Sequence, residues 1–354
     1  MRHRAASRGG RALAEAAGAS VLIPTHQRRE ALRRALLSLS RQTAYPASYE
    51  VIVSVDGSTD GTREMVEAFD APYRLRLAAS GARGRAAACN AAIEIADGEV
   101  LIVLDDDMQV SPGFVERHLG HHPPGSRLCV LGAVPIEVDE TSPRTARYVQ
   151  EKFNSHLAKL AQPGHEFAPR DFYSGNASLR AEVMRELGGF SESFRIYGNE
   201  DVDLSLRLRA AGVELRYDAE ALAVQEYDKG LRGLTRDTIA KGRTTVVLAR
   251  AHPEVFPMLR LATPWNGSRP WLAARSVLLW LCRRSGAVAP AVTGLAAGLE
   301  RIGLWRQPLF YRAVVDFAFW AGVDAELGES TPEGEHERLA TELRRGPIDL
   351  LLHR

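Results

Sequence analysis

Residues 103–108 read Val-Leu-Asp-Asp-Asp-Met, three adjacent carboxylates closing an apolar run. The preceding stretch, Glu-Val-Leu-Ile-Val-Leu at 99–104, suits a strand buried on both faces. Adjacent like charges repel one another, and no basic residue stands beside these in the sequence. A hard divalent cation held through carboxylate oxygens would offset them. At the carboxyl end of a parallel strand such ligands would face the edge where α/β sheets bind their substrates. Taken alone, the motif also reads as a solvated acidic turn. Alternation along an extended chain would turn Asp106 away from the face shared by Asp105 and Asp107.

Four other segments carry groups of the right type. Ile-Pro-Thr-His-Gln-Arg at 23–28 and Val-Asp-Gly-Ser-Thr-Asp-Gly-Thr at 55–62 each follow an apolar run. In a parallel sheet both loops open on the same edge as Asp105–Asp107. Asp56 could accept hydrogen bonds from a base or ribose, and Gly57 and Gly61 permit tight turns. Ser-Gly-Asn-Ala-Ser-Leu-Arg occupies 174–180, and Asn-Glu-Asp-Val-Asp-Leu occupies 199–204. Asn199 is suited to cap a helix whose first turn holds Glu200 and Asp201, where the helix dipole favours negative charge. Acidic first turns are common for that reason alone.

The elements that must position these groups alternate. Strands are expected at 20–23, 50–55, 73–79, 99–104 and 128–134, with helices at 28–42, 60–69 and 86–96 between them. A helix follows at 142–161, then a strand at 172–179 and a helix at 181–187. This order predicts a Rossmann-like, mostly parallel sheet flanked by helices. From about residue 231 the texture is helical. The 354 residues carry a formal net charge of +1, which gives no bulk reason to expect nucleic-acid binding. Cys89, Cys129 and Cys282 are too far apart in sequence for a metal-binding pair, and a reducing cytoplasm suits them. Residues 1–19, rich in Arg, Ala and Gly, read as a mobile basic tail rather than a secretory signal. No apolar run is long enough to span a bilayer.

In this order and spacing the five segments, with Gly188-Gly189-Phe190, resemble the family-2 glycosyltransferases of the GT-A fold, from about residue 20 to 253. The resemblance implies a GT-A domain at 20–255, a C-terminal helical region at 256–327 and a polar tail at 328–354. It implies an inverting transferase that moves a sugar from a nucleotide donor, a UDP-sugar, to an acceptor hydroxyl. Pro24, Thr25 and Arg28 would line the nucleotide pocket, and Asp56 would contact uracil or its ribose. Asp105 and Asp107 match the Asp-x-Asp motif that holds Mn²⁺ or Mg²⁺ on the donor diphosphate. Asp201 matches the general base, with Glu200 beside it positioning a sugar, and Gly175 and Asn176 would shape the sugar pocket. Three positions depart from the family pattern. Val55 replaces an Asp, Cys89 stands where Arg often precedes Asn, and Gln225 stands where a His often completes the metal site. Glu226 and Asp228 are the neighbouring carboxylates that could substitute for that His. The rival readings are a non-catalytic sugar- or partner-binding protein that kept the fold, and a sugar-phosphate nucleotidyltransferase. The latter should carry a Gly-rich basic loop after the first strand, which 24–30 is not.

Two further features are weighed against chemistry. His118, His121 and His122 precede Pro123-Pro124 at an expected helix end, where His suits the dipole. Gly-Ala-Arg-Gly-Arg at 81–85 lacks the third glycine and the acidic partner of a dinucleotide fingerprint; Arg83 and Arg85 could still reach a phosphate, but the segment reads first as a solvated turn. All five tryptophans fall between 265 and 320, interleaved with arginines. That pattern fits either a peripheral contact with the inner membrane face or a packing layer, including one between two copies of the chain.

Overall fold

Val100–Leu104 is buried at every position, as its unbroken apolar sequence requires, and it forms the centre of the sheet. The computed structural model describes residues 18–303 and 308–329; the expected tails before 18 and after 329, and Trp305 and Arg306, lie outside the described residues. The first half runs β1 (Ala19–Thr25), α1 (Arg29–Leu39), β2 (Tyr49–Val55), α2 (Thr62–Glu67), β3 (Arg74–Ala79), α3 (Arg85–Ile95) and β4 (Val100–Leu104). It continues through β5 (Met108–Val110), α4 (Phe114–Gly120), β6 (Leu128–Gly132), β7 (Ile136–Glu137) and α5 (Arg144–Leu160). Then come β8 (Asn176–Arg180), α6 (Ala181–Glu186), α7 (Glu200–Ala210), β9 (Glu214–Asp218) and β10 (Ala223–Glu226). Four helices finish it: α8 (Leu231–Ala251), α9 (Arg269–Arg284), α10 (Val288–Arg301) and α11 (Pro308–Glu329).

The seven-stranded sheet has the order β3-β2-β1-β4-β8-β6-β9. Strands β1 to β4 are parallel, and β8 runs antiparallel between β4 and β6. The chain leaves β1 towards β2 and β3, then returns to lay β4 on its other side. The β1/β4 seam is therefore a topological switch point, where loops diverge and leave a crevice. Both faces are covered. Val21, Ile23, Ile102 and Leu104 belong to one apolar cluster, and Leu22, Leu101 and Val103 to the other. Continuous apolar runs, not alternation, follow from that burial. The mostly parallel expectation holds. What sequence reading missed is a second sheet, β5-β10-β7, whose strands are too short to show a period.

Buried imidazoles brace the centre. His118 on α4 lies 2.7 Å from Ser178 Oγ and 2.9 Å from Asn176 Oδ1, and His122 lies 2.8 Å from the same Ser178 hydroxyl. Burial pushes His118 down to about 3 and His122 to about 4, so both stay neutral. They pin α4 to β8. This network replaces the dipole explanation for His118 and His122, and of the three only His121 meets a carboxylate, Asp218 at 2.6 Å.

The C-terminal helices are not detached from the sheet half. α11 lies along α8 at two glycines. A Cβ on Gly242 would come within 2.1 Å of the Phe319 carbonyl, and one on Gly322 within 2.0 Å of the Ile239 carbonyl. The boundary expected at 255/256 falls inside the 3-10 turn Pro253–Met258, and α8 and α11 pack across it. Helix α11 runs through the expected tail start at 328. Trp320 is core, and Trp271 Nε1 donates to Asp316 at 2.8 Å, whereas Trp265 and Trp280 face out. The close crossing predicts that Gly322→Ala costs about 1–3 kcal/mol by overpacking. Gly298→Ala, in α10 with nothing within 4 Å, should instead stabilise by about 0.5–1 kcal/mol. Urea midpoints of the two variants check the pair.

Candidate active site

A cleft of about 1050 Å³ opens at the β1/β4 seam and runs to the C-terminal helices. On the sheet side it is lined by Pro24, Thr25, Arg28, Asp56, Arg85 and the acidic run, and facing these are Glu200 and Asp201. Leu234, Lys241, Met258 and Phe319 from the helical layer form its far wall.

The acidic run does not continue as an extended strand. Asp106 and Asp107 form a turn between β4 and β5, so alternation does not apply and Asp106 is not turned away from its neighbours. Thr25 Oγ1 donates to Asp106 at 2.7 Å, and Arg28 reaches Asp106 at 3.3 Å and Asp107 at 2.6 Å. Burial pushes the Asp106 carboxyl up to about 7 despite the pull of Arg28. Burial and the charge of Asp105 raise Asp107 as well. Gln225 Nε2 donates to both Asp107 oxygens, at 3.3 and 3.4 Å. Of the two carboxylates near it, Glu226 is paired with Arg34 at 2.5 Å, and Asp228 lies exposed, 3.9 Å from Arg28.

Asp105 faces the other arginine. Its backbone N–H donates to the Gly175 carbonyl at 2.9 Å, and its carboxylate accepts from Arg85 at 2.7 Å. A Cβ at 175 would sit 2.4 Å from Asp105 Oδ2, so only glycine leaves room for this carboxylate. Arg85 also donates to Ser174 Oγ at 2.9 Å and lies 3.6 Å from Asp201 and 3.7 Å from Glu200. Ser174 Oγ in turn donates to Asp201. Arg85 thus joins both acidic segments. It is not part of a solvated turn.

Asn199 sits at the start of α7 with φ 65°, but its side chain caps nothing there. Its amide instead donates to the Lys241 carbonyl at 3.1 Å and to Thr244 and Thr245 hydroxyls at 2.9 and 3.0 Å, all on α8. Glu200 is buried and accepts from the Gly198 N–H at 2.9 Å. Burial, reinforced by Asp201, pushes Glu200 up to about 7. Asp203 is taken up by Arg207 at 2.8 Å and His252 at 2.8 Å, which leaves Asp201 as the carboxylate of α7 open to the cleft.

Three residues expected to touch ligand make scaffold contacts. Asn176 is fully buried, and its amide donates to the Ala133 and Ala221 carbonyls at 3.1 and 2.8 Å. It holds β8 and does not line the cleft, and Gly175 acts by making space for Asp105. Asp56 does line the cleft, but its carboxylate accepts the N–H groups of Arg83 and Gly84, each at 3.0 Å, and so fixes the 80–84 loop.

Five carboxylates, Asp105–Asp107, Glu200 and Asp201, thus face two guanidiniums. The balance favours a further cation. Among the described residues no three acidic, His or Cys side chains converge to hold one unaided. Asp105 and Asp107 offer two hard oxygen donors, which suits a Mg²⁺-like ion that takes its other ligands from phosphate and water.

Comparison with known proteins finds glycosyltransferases. The family model for Glycosyl transferase family 2 matches residues 20–188, and that for the N-terminal domain of galactosyltransferase matches 155–229. The chain is 29% identical over 274 residues to validoxylamine A glucosyltransferase of Streptomyces hygroscopicus subsp. limoneus, covering 70% of this chain and 60% of the relative. It is 27% identical over 244 residues to the pre-mycofactocin glycosyltransferase of Mycobacterium tuberculosis, covering 66% and 48%. Each match therefore spans less than two-thirds of the relative's length. The fold is similar to a mannosyltransferase of Pyrobaculum calidifontis solved with GDP-Man and Mn²⁺, with TM-score 0.59, 21% identity, and 89% and 88% of the two chains covered.

The elevated Glu200 gives a pH test. A buried carboxyl whose folded pKa is raised contributes stability below its unfolded pKa, near 4.5, and loses it as pH rises through about 7. Glu200→Gln removes that loss. Its urea midpoint relative to the parent should rise between pH 4 and 8, and the relative shift should be flat below pH 4. A difference between the two midpoints that is independent of pH would contradict the burial argument.

Proposed function

The chain belongs to glycosyl transferase family 2 and has the GT-A fold, and from that premise we propose that it transfers a sugar from a nucleotide-sugar donor, in our reading a UDP-sugar, to an acceptor hydroxyl with inversion. One observation carries the reading. Arg85 ties Asp105, on the strand edge where donors bind, to Asp201, the carboxylate of α7 open to the same cleft.

The chemistry assigns each group a task. Asp201 takes the proton of the acceptor hydroxyl as that oxygen attacks the anomeric carbon. Direct attack inverts the configuration. A retaining double displacement would need a second, nucleophilic carboxylate, and Glu200 is buried with its carboxylate between the Gly198 N–H and Arg85. Ser174 and Arg85 hold Asp201 in place. Arg28 keeps Asp106 and Asp107 gathered at the β1 edge. Asp105 and Asp107 would hold Mn²⁺ or Mg²⁺, which neutralises the diphosphate leaving group when bound. Pro24 and Thr25 wall the nucleotide end of the cleft.

A panel of UDP-, GDP- and dTDP-sugars, assayed for hydrolysis and transfer with and without Mn²⁺ or Mg²⁺, tests the proposal. Turnover of one UDP-sugar that is abolished by chelator is the expected result. Turnover of none would favour a binding protein that kept the fold. With the donor known, Asp201→Asn should slow transfer by roughly 10²-fold or more while donor affinity changes little. Asp107→Ala should instead weaken donor binding and turnover together. Near-normal transfer by Asp201→Asn would move the base to another residue.

A further inference from the structure

We infer that the outward faces of α9 and α10 form a docking surface for an anionic lipid bilayer. Helix α9 exposes Val277, Trp280, Leu281 and Arg284, spaced i, i+3, i+4 and i+7 along one face. Helix α10 and its end expose Leu295 and Ile302, at 66% and 68% of their full areas, two turns apart on one face. Leu309, at the start of α11, is 68% exposed. These side chains are exposed, while the opposite sides of the same helices are occupied. Thr293, Ala296 and Ala297 of α10 are buried, and Arg275 of α9 is buried against Asp316.

Charge identifies the occupant. Residues 260–312 hold eight arginines and a single acidic residue, Glu300. That acid is buried and accepts from Tyr311 at 2.8 Å and from Thr145 at 2.6 Å, so it offsets nothing at the surface. Arg260 and Arg275 are spent on Asp316, and Arg283 on Asp324. Arg269, Arg284, Arg301 and Arg312 are exposed and pair with no carboxylate of the described residues. Arg284 lies over the Trp280 ring at 3.6 Å, a cation and an aromatic at the same height on one face. Exposed Leu, Ile and Trp interleaved with unpaired arginine match an interface of acyl chains below phosphate. No helix among the described residues is long and apolar enough to cross a membrane, so the contact lies along the surface. Met258 and Thr263 line the cleft, and Trp265 and α9 follow them directly in the chain. A docked α9 therefore holds the far wall of the cleft next to the headgroups.

Co-sedimentation of the full chain with vesicles tests this. Vesicles of phosphatidylcholine with phosphatidylglycerol should bind it, phosphatidylcholine alone should bind weakly, and high salt should release it. Arg284→Glu with Arg301→Glu should lower affinity by at least about fivefold per arginine. Leu295→Ser with Ile302→Ser should lower it by roughly tenfold or more. Both pairs are exposed, and unchanged circular dichroism and urea midpoints establish that the variants fold. Arg41→Glu, an exposed charge beside α1, should leave binding unchanged. The inference is overturned if no binding occurs at low salt, or if neutral vesicles bind as well as anionic ones. It is overturned equally if Arg41→Glu weakens binding as much as the other reversals, or if light scattering shows a dimer that the Leu295/Ile302 pair dissolves, since a second copy would then cover the face.

Discussion

Repulsion among carboxylates gathered at one sheet edge is the constraint around which this molecule is arranged. Asp105, Asp106 and Asp107 follow one another at the end of β4, and α7 brings Glu200 and Asp201 to face them. Two arginines from different elements answer that charge. Arg28, just before α1, takes Asp106 and Asp107, and Arg85, at the head of α3, takes Asp105 and reaches the α7 pair. Their partial compensation leaves negative potential where a donor diphosphate would bring a cation. Burial adjusts the remainder, raising Asp106 and Glu200 towards neutrality while Asp105 and Asp201 stay at the open side of the cleft. The neutral His118–Ser178–Asn176 network holds β8, and β8 begins right after Gly175, the residue that makes room for Asp105. Much of what looks like fold maintenance in this region therefore sets the place of one carboxylate.

The parts legible in the sequence are those set by short-range pattern. Strands β1, β2 and β4 announce themselves because burial on both faces demands unbroken apolar runs, and their ends fall within a residue or two of expectation. The acidic segments are legible because their residue types are scarce in such settings. What was misread depends on contacts distant in sequence. Alternation misplaced Asp106 because the chain turns immediately after β4. The type of Asn199 suggests a cap, yet its amide is claimed by α8, some forty residues away. Arg85 reads from the sequence as part of the loop it follows, although the sequence carries a signal to the contrary. It is the only basic residue in α3, where Ala86–Cys89 are all buried. It also precedes by one helical turn Cys89, the position at which the family resemblance leads one to expect an arginine. A lone cation opening a buried helix needs a buried partner, and only the tertiary arrangement reveals which.

The far wall of the cleft lies outside the segments that the family models match, and the near wall lies within them. Both matched family segments end by residue 229, while Leu234, Lys241, Met258 and Phe319 lie beyond. The near wall thus comes from the sheet half, and the far wall is supplied by the helical layer.

The amide of Asn199 is hydrogen-bonded to α8, and Gly198, with φ +111°, lies so close to that helix that a Cβ would meet Lys241 at 3.2 Å. The start of the helix that bears Asp201 is therefore seated on the layer that walls the opposite side of the cleft. Such a protein is not modular in the way its matched segments suggest. A chimaera joined at residue 229 would exchange not only the far wall of the cleft but also the seat beneath Asp201. Changes in the helical layer would then reach the shape of the cleft and the setting of Asp201 together, unless the Asn199–Thr244–Thr245 contact travelled with the graft.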